Sequence, residues 1–201
     1  MQRTPLLISS LLRYGTLVHA EQKVITWTGE GSREMTYAAV GRRAAQLAHA
    51  LRGLGVDGDQ RVGTFMWNNS EHLVTYLAVP SMGAVLHALN IRLFPPQIVY
   101  VANHADDRIV IVDNTLAKPF SGLLPHLPGV QHVIVNGPID DETRAALAAP
   151  DHILAVHDWD ALLDGEPTAY DWPEDLDEHS ASSMCYTSGT TGNPKGAVYS
   201  H

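Results

Sequence analysis

Tyr186-Thr187-Ser188-Gly189-Thr190-Thr191-Gly192-Asn193-Pro194-Lys195-Gly196 is the stretch on which the reading of this chain turns. Its glycines permit a tight turn and let backbone N–H groups come close to a ligand. The hydroxyls of Thr187, Ser188, Thr190 and Thr191 can each donate a hydrogen bond to an anionic oxygen. Lys195 adds a mobile positive charge that suits a phosphate, and Pro194 fixes the backbone just ahead of it. Together these features describe a loop that wraps a polyphosphate. It is not the P-loop of ordinary NTPases, which places glycine directly before the lysine, Ser or Thr directly after it, and a helix downstream. Here Pro194 precedes Lys195, Gly196 follows it, and Ala197-Val198-Tyr199 reads as a short strand. A flexible Ser/Thr/Gly linker has a similar composition. A linker, however, has no need of a lysine fixed behind a proline between two apolar strands.

Upstream of this loop, strand patterns alternate with helical ones. A first helix is expected over residues 5–14, with Leu7, Leu11 and Tyr14 on its apolar face. Val24–Trp27 reads as a strand followed by a turn at Gly29–Ser32. Thr36 is a good N-cap for a helix whose stripe runs through Tyr37, Val40, Ala44, Leu47, Leu51 and Leu54. Strands are expected at 61–66, 84–89, 108–112 and 133–135. Helices begin at Asn68-Asn69-Ser70 and Pro95-Pro96, and another covers 116–124. The unbroken apolar run at Ile109–Val112 suits a strand covered on both faces. The alternation predicts an α/β fold with a mainly parallel sheet flanked by helices. It divides into an α/β core over 1–135, an acidic surface excursion over 136–180 with one short helix at Trp159–Leu163, and the phosphate-loop hairpin over 181–201.

Composition narrows the function classes. The 201 residues are 45% hydrophobic, enough for a core, and carry a formal net charge of −9. So acidic a chain is a poor non-specific binder of nucleic acid or of an anionic membrane. No run approaches the roughly 20 apolar residues of a membrane span. The single cysteine, Cys185, permits no internal disulfide and reads as buried filler in an apolar strand. These features fit a cytoplasmic protein. The eleven histidines show neither HExxH nor finger spacing. His87 and His104 therefore read as structural, and a divalent ion is expected to arrive only with a nucleotide.

The run from Tyr186 to Gly196 resembles the phosphate-loop signature of the adenylate-forming enzymes, which include acyl-CoA synthetases, luciferases and peptide-synthetase adenylation domains. Ala197 stands where that family usually has valine. Met82–Leu93 and Ile98–Arg108 look like the medium- and long-chain fatty-acyl-CoA ligases, although Ile91 and Pro96 depart from the usual proline and acidic residue. The resemblance implies the N-terminal part of a longer enzyme. Such an enzyme activates a fatty acid with ATP and Mg2+ to acyl-AMP and then transfers the acyl group to coenzyme A. It further implies that Thr187, Ser188, Gly189, Thr190, Thr191, Gly192 and Lys195 hold the ATP phosphates, with Lys195 acting catalytically and Thr190 facing the metal. A homodimer is left open. The alternatives are another adenylate-forming activity, aryl-CoA ligase or luciferase-like, and a non-catalytic nucleotide-binding module. The resemblance also implies that these residues alone do not turn over.

Overall fold

The computed structural model describes residues 4–187 and 192–201. Helix α1 (Ile8–Val18) precedes an antiparallel hairpin of β1 (Lys23–Trp27) and β2 (Ser32–Thr36). Then follow α2 (Tyr37–Gly53), β3 (Arg61–Phe65), α3 (Ser70–Ser81), β4 (Val85–Ala88), α4 (Pro95–Ala105) and β5 (Ile109–Asp113). The chain continues through α5 (Asn114–Ser121), a 3-10 turn at Leu124–His126, β6 (His132–Asn136), α6 (Asp141–Ala148), β7 (Ala155–Asp158) and α7 (Trp159–Leu163). It closes on β8 (Ala181–Thr187) and β9 (Lys195–Ser200). The larger sheet has seven strands in the order β7-β6-β5-β3-β4-β8-β9. Every neighbouring pair is parallel except β8 and β9. This is the mainly parallel α/β architecture that the alternating pattern predicts.

Local signals place the helices. Thr36 caps α2 by accepting a hydrogen bond from Ala39 N at 3.2 Å, and Asn69 caps α3 by accepting from His72 N at 2.8 Å. Pro80 lies in the last turn of α3, which ends one residue later. Pro95 and Pro96 open α4, where a missing N–H costs nothing.

Alternating residues of each strand feed one of two cores. On one face Val62, Leu86, Ile109, Ile111 and Ile134 pack under α2, α3 and α7. On the other, Phe65, Val110, Val112, Val133 and Val135 pack under α4 and α5. Full burial of each large aliphatic side chain is worth about 1.5–3 kcal/mol before entropy. The two-faced burial explains why β5 is apolar at every position up to its closing Asp113.

Two expectations need correction. Leu7, just ahead of α1, is buried as expected, but within the helix the inward apolar residue is Leu12, while Leu11 and Tyr14 are 64% and 58% exposed. Small residues decide this orientation. Gly41 of α2 lies so close to Thr16 that a Cβ there would stand 2.4 Å from Thr16 Cγ2. The helices thus approach through small side chains, and hydrophobic periodicity alone does not report such a contact. The acidic segment 136–180 is also more than a surface excursion. It adds helix α6 and places β7 at the sheet edge beside β6, and Leu147, Trp159 and Leu163 are each at most 2% exposed. The carboxylates hid this because they occupy caps and outer faces: Asp140 accepts from Thr143 N and Asp158 from Ala161 N.

Candidate functional site

Strands β8 and β9 form an antiparallel hairpin, and Thr187 and Lys195 pair where its two strands open into the candidate loop. Strand β8 is fastened to the sheet by its parallel pairing with β4, Leu86 opposite Ser183 and His87 opposite Met184. Its C-terminal end therefore points the same way as those of the other parallel strands. In open α/β sheets that is the end at which ligands bind. At the foot of the loop Thr187 pairs with Lys195, Tyr186 with Gly196 and Cys185 with Ala197. Thr187 and Lys195 are exposed, while Pro194 is buried and anchors the returning strand. The Thr187 hydroxyl lies 3.5 Å from the Lys195 carbonyl oxygen, at the limit of a hydrogen bond. Gly192 has φ +93°, a left-handed conformation that favours glycine. Ser188, Gly189, Thr190 and Thr191 lie outside the described residues. Of the expected residues, the structure therefore brings Thr187 and Lys195 together.

Beneath the hairpin lies a polar cluster that the sequence pattern did not mark. The Tyr186 hydroxyl and His104 Nδ1 are 2.6 Å apart, and His104 stacks on Tyr100 with ring centroids 5.5 Å apart. The Tyr186 ring also lies 5.3 Å from that of His87. His87 Nδ1 is 2.7 Å from Asp107 Oδ2, and both side chains are almost wholly buried, 1% and 0% exposed. Burial pushes the Asp107 carboxyl up from its ordinary range, against the opposing pull of the His87 hydrogen bond. Burial likewise raises the Tyr186 phenol, helped by the nearby Asp107 charge. His87, buried, and His104, exposed, are both linked to the residue that opens the loop. An Asp two residues past a helix and a His inside an apolar strand were the available signals. Cys185 is half-buried rather than buried, with Sγ 3.7 Å from the Tyr199 hydroxyl.

A second cluster closes the C-terminal ends of β3, β5 and β6. Asp113, 3% exposed, accepts hydrogen bonds from Trp67 N at 2.6 Å, Asn69 Nδ2 at 3.0 Å and Asn136 Nδ2 at 2.7 Å. Beside it a cleft of about 410 Å³ is lined by Trp27, Arg33, Trp67 and Asn114 among others. Among the described residues no group of three or more His, Cys, Asp or Glu side chains is placed to hold a metal ion. No helix among them is long and apolar enough to cross a membrane.

Known proteins resemble this chain in sequence and in fold. A 3-methylmercaptopropionyl-CoA ligase of Ruegeria pomeroyi is 43% identical over the whole chain, which spans 36% of that protein. A medium-chain-fatty-acid–CoA ligase of Ectopseudomonas oleovorans is 38% identical, with the chain again spanning 36% of its length. The crystal structure of an anthranilate CoA ligase in complex with anthranoyl-AMP superposes with a TM-score of 0.84 at 24% identity. That match covers 99% of this chain and 35% of that one, and it speaks for the fold. The chain thus spans about a third of the length of the relatives it matches. Residues 17–201 match the sequence profile of the AMP-binding enzymes, and the chain belongs to the AMP-binding enzyme family.

Proposed function

We propose that the chain is part of a longer acyl-CoA ligase that converts an aliphatic carboxylate, ATP and coenzyme A into an acyl thioester. One observation carries this reading: the hairpin foot presents Thr187 and Lys195, both exposed, at the ligand-binding end of the sheet. A carboxylate oxygen attacks the α-phosphorus of ATP while the bond to the β-phosphate breaks, giving acyl-AMP and pyrophosphate. The coenzyme A sulfur then attacks the acyl carbonyl and AMP departs. In the first step negative charge builds on the pyrophosphate, and positioned hydrogen-bond donors with a lysine suit that charge. Thr187, Ser188, Thr190 and Thr191 are assigned as hydroxyl donors, Gly189 and Gly192 as the points of close backbone approach, and Lys195 as the catalytic cation. Each hydrogen bond to a charged group nets about 1.5–3 kcal/mol. Mg2+ enters as the counter-ion of the nucleotide, with the Thr190 hydroxyl assigned to face it. No general base is needed, because the attacking carboxylate is already ionised.

The names of the relatives favour a fatty acid of medium length or a short thioether acid of the methylmercaptopropionate kind. The test is substrate-dependent pyrophosphate release by the full-length protein with octanoate, palmitate, 3-methylmercaptopropionate and benzoate. Release with an aliphatic acid supports the reading. Release with benzoate alone would assign an aryl-CoA ligase, and ATP binding without release would assign a nucleotide-binding module.

A further inference from the structure

Tyr186 opens the loop run, and its half-buried side chain has specific surroundings. One face of the ring lies over Gly196, its cross-strand partner: a Cβ on Gly196 would stand 3.1 Å from Tyr186 Cζ. An aromatic ring folded over a paired glycine replaces the missing side-chain contact and stiffens the pair. The other side of Tyr186 meets β4 and α4 through His87 at 5.3 Å between centroids and the 2.6 Å hydrogen bond to His104. His87 in turn cannot turn away, because the buried Asp107 holds its Nδ1. An apolar residue at position 186 would fill the space, but it would lack the bond that fixes the direction of the ring.

We propose that Tyr186 is the positioning residue of the β8–β9 hairpin: clamped between Gly196 and the His104/His87–Asp107 group, it fixes the direction in which Thr187 and Lys195 are presented beyond the last pairing of β8 with β4. This rests on the proposed role of the hairpin in holding ATP. Tyr186 acts through the paired Thr187 and Lys195 rather than by touching the nucleotide. Its loss therefore weakens ATP binding and leaves the carboxylate unaffected. A side chain at Gly196 would press on the Tyr186 ring, which would have to give by a few tenths of an ångström.

The experiment uses the full-length protein, with ATP affinity measured by equilibrium binding and the KM of each substrate by pyrophosphate exchange. Tyr186→Phe keeps the ring and loses one hydrogen bond, so ATP binding weakens by about 3-fold, within what one net bond of this kind supplies. Tyr186→Leu weakens it by about 10-fold or more, with the KM for the carboxylate unchanged. Gly196→Ala weakens ATP binding strongly in the wild-type background and much less beside Tyr186→Leu, because the collision has been removed. The inference is overturned if Tyr186→Leu leaves ATP affinity unchanged. It is equally overturned if the KM values of ATP and carboxylate rise together with a falling Tm, or if the Gly196→Ala and Tyr186→Leu effects simply add. A wild-type protein that binds ATP but exchanges no pyrophosphate would sink the ligase reading alone, since affinity still decides the role of Tyr186. Failure to bind ATP at all would sink both.

Discussion

Replacing Asp113 tests how the ligand-binding end of the sheet is held together. Its carboxylate sits at the N-cap position of α5 yet makes no cap bond. It reaches back instead to Trp67 N, Asn69 and Asn136, tying the exits of β3, β5 and β6. Asn69 is also the N-cap of α3, so the tie extends to that helix. In Asp113→Ala the Trp67 N–H and two side-chain amides lose their acceptor. Leaving a buried donor unpartnered costs about 1–3 kcal/mol, and the two amides recover part of their loss by turning to water. A net destabilisation of about 2–4 kcal/mol follows, a large share of the roughly 5–15 kcal/mol that holds a domain together. Asp113→Asn keeps the size and one acceptor oxygen, and Asn136 can turn its amide to match. Only the charge assistance is lost, about 1–2 kcal/mol. Urea unfolding followed by tryptophan fluorescence measures both, with Trp67 at the site as reporter. A cost below about 0.5 kcal/mol for Asp113→Ala, or equal costs for the two variants, would refute the reasoning.

Other outcomes follow from neighbouring contacts. Burial works to raise the Glu71 carboxyl, but the Arg33 hydrogen bond and charge outweigh it and hold the group below its ordinary range. Its stabilising contribution is therefore complete above pH ~4.5 and is lost as pH falls through the lower folded value. Arg33→Ala removes that pH-dependent part and costs about 1–3 kcal/mol, the low end reflecting the 45% exposure of the Arg33 side chain. Acid titration of both proteins by circular dichroism checks this. Trp159→Ala costs about 3–5 kcal/mol in urea if α7 is core, and under 1 kcal/mol if the acidic segment merely rides on the surface. Gly63→Ala pushes a methyl to 3.1 Å from Asp107 Oδ2 and 3.2 Å from Val110 Cγ2. It lowers stability by about 1–3 kcal/mol, and thermal unfolding detects the loss. In the full-length protein, Lys195→Ala slows acyl-adenylate formation far more than thioester formation from supplied acyl-adenylate. Single-turnover measurement of each half-reaction decides, and equal slowing would remove Lys195 from the pyrophosphate.

Much of the architecture was legible because one physical signal dominated in each place. Strand β5 declares two-sided burial by its apolar run, and Thr36, Asn69 and Pro95 announce helix starts by chemistry that works locally. Where the deciding contact was between small residues, as for Thr16 against Gly41, periodicity pointed the wrong way. In the segment 136–180 the charges belonged to caps and solvent faces, and they masked the few large residues that build α6, β7 and α7. The loop run identified the candidate site through glycine, hydroxyl and lysine spacing. The layer under it was not legible, because Tyr186, His104, His87 and Asp107 come from three elements and the loop after α4 and meet only once the sheet is formed.

Strand β8 joins the larger sheet through Leu86 with Ser183 and His87 with Met184, residues far apart along the chain. Pairings of such long sequence separation are slow to form, because the intervening chain must be ordered before they give anything back. The hairpin that carries Thr187 and Lys195 is therefore expected to dock after β3, β5 and β6 have paired. Pulse-labelled hydrogen exchange during refolding of the full-length protein should protect the amides of β5 before those of β8.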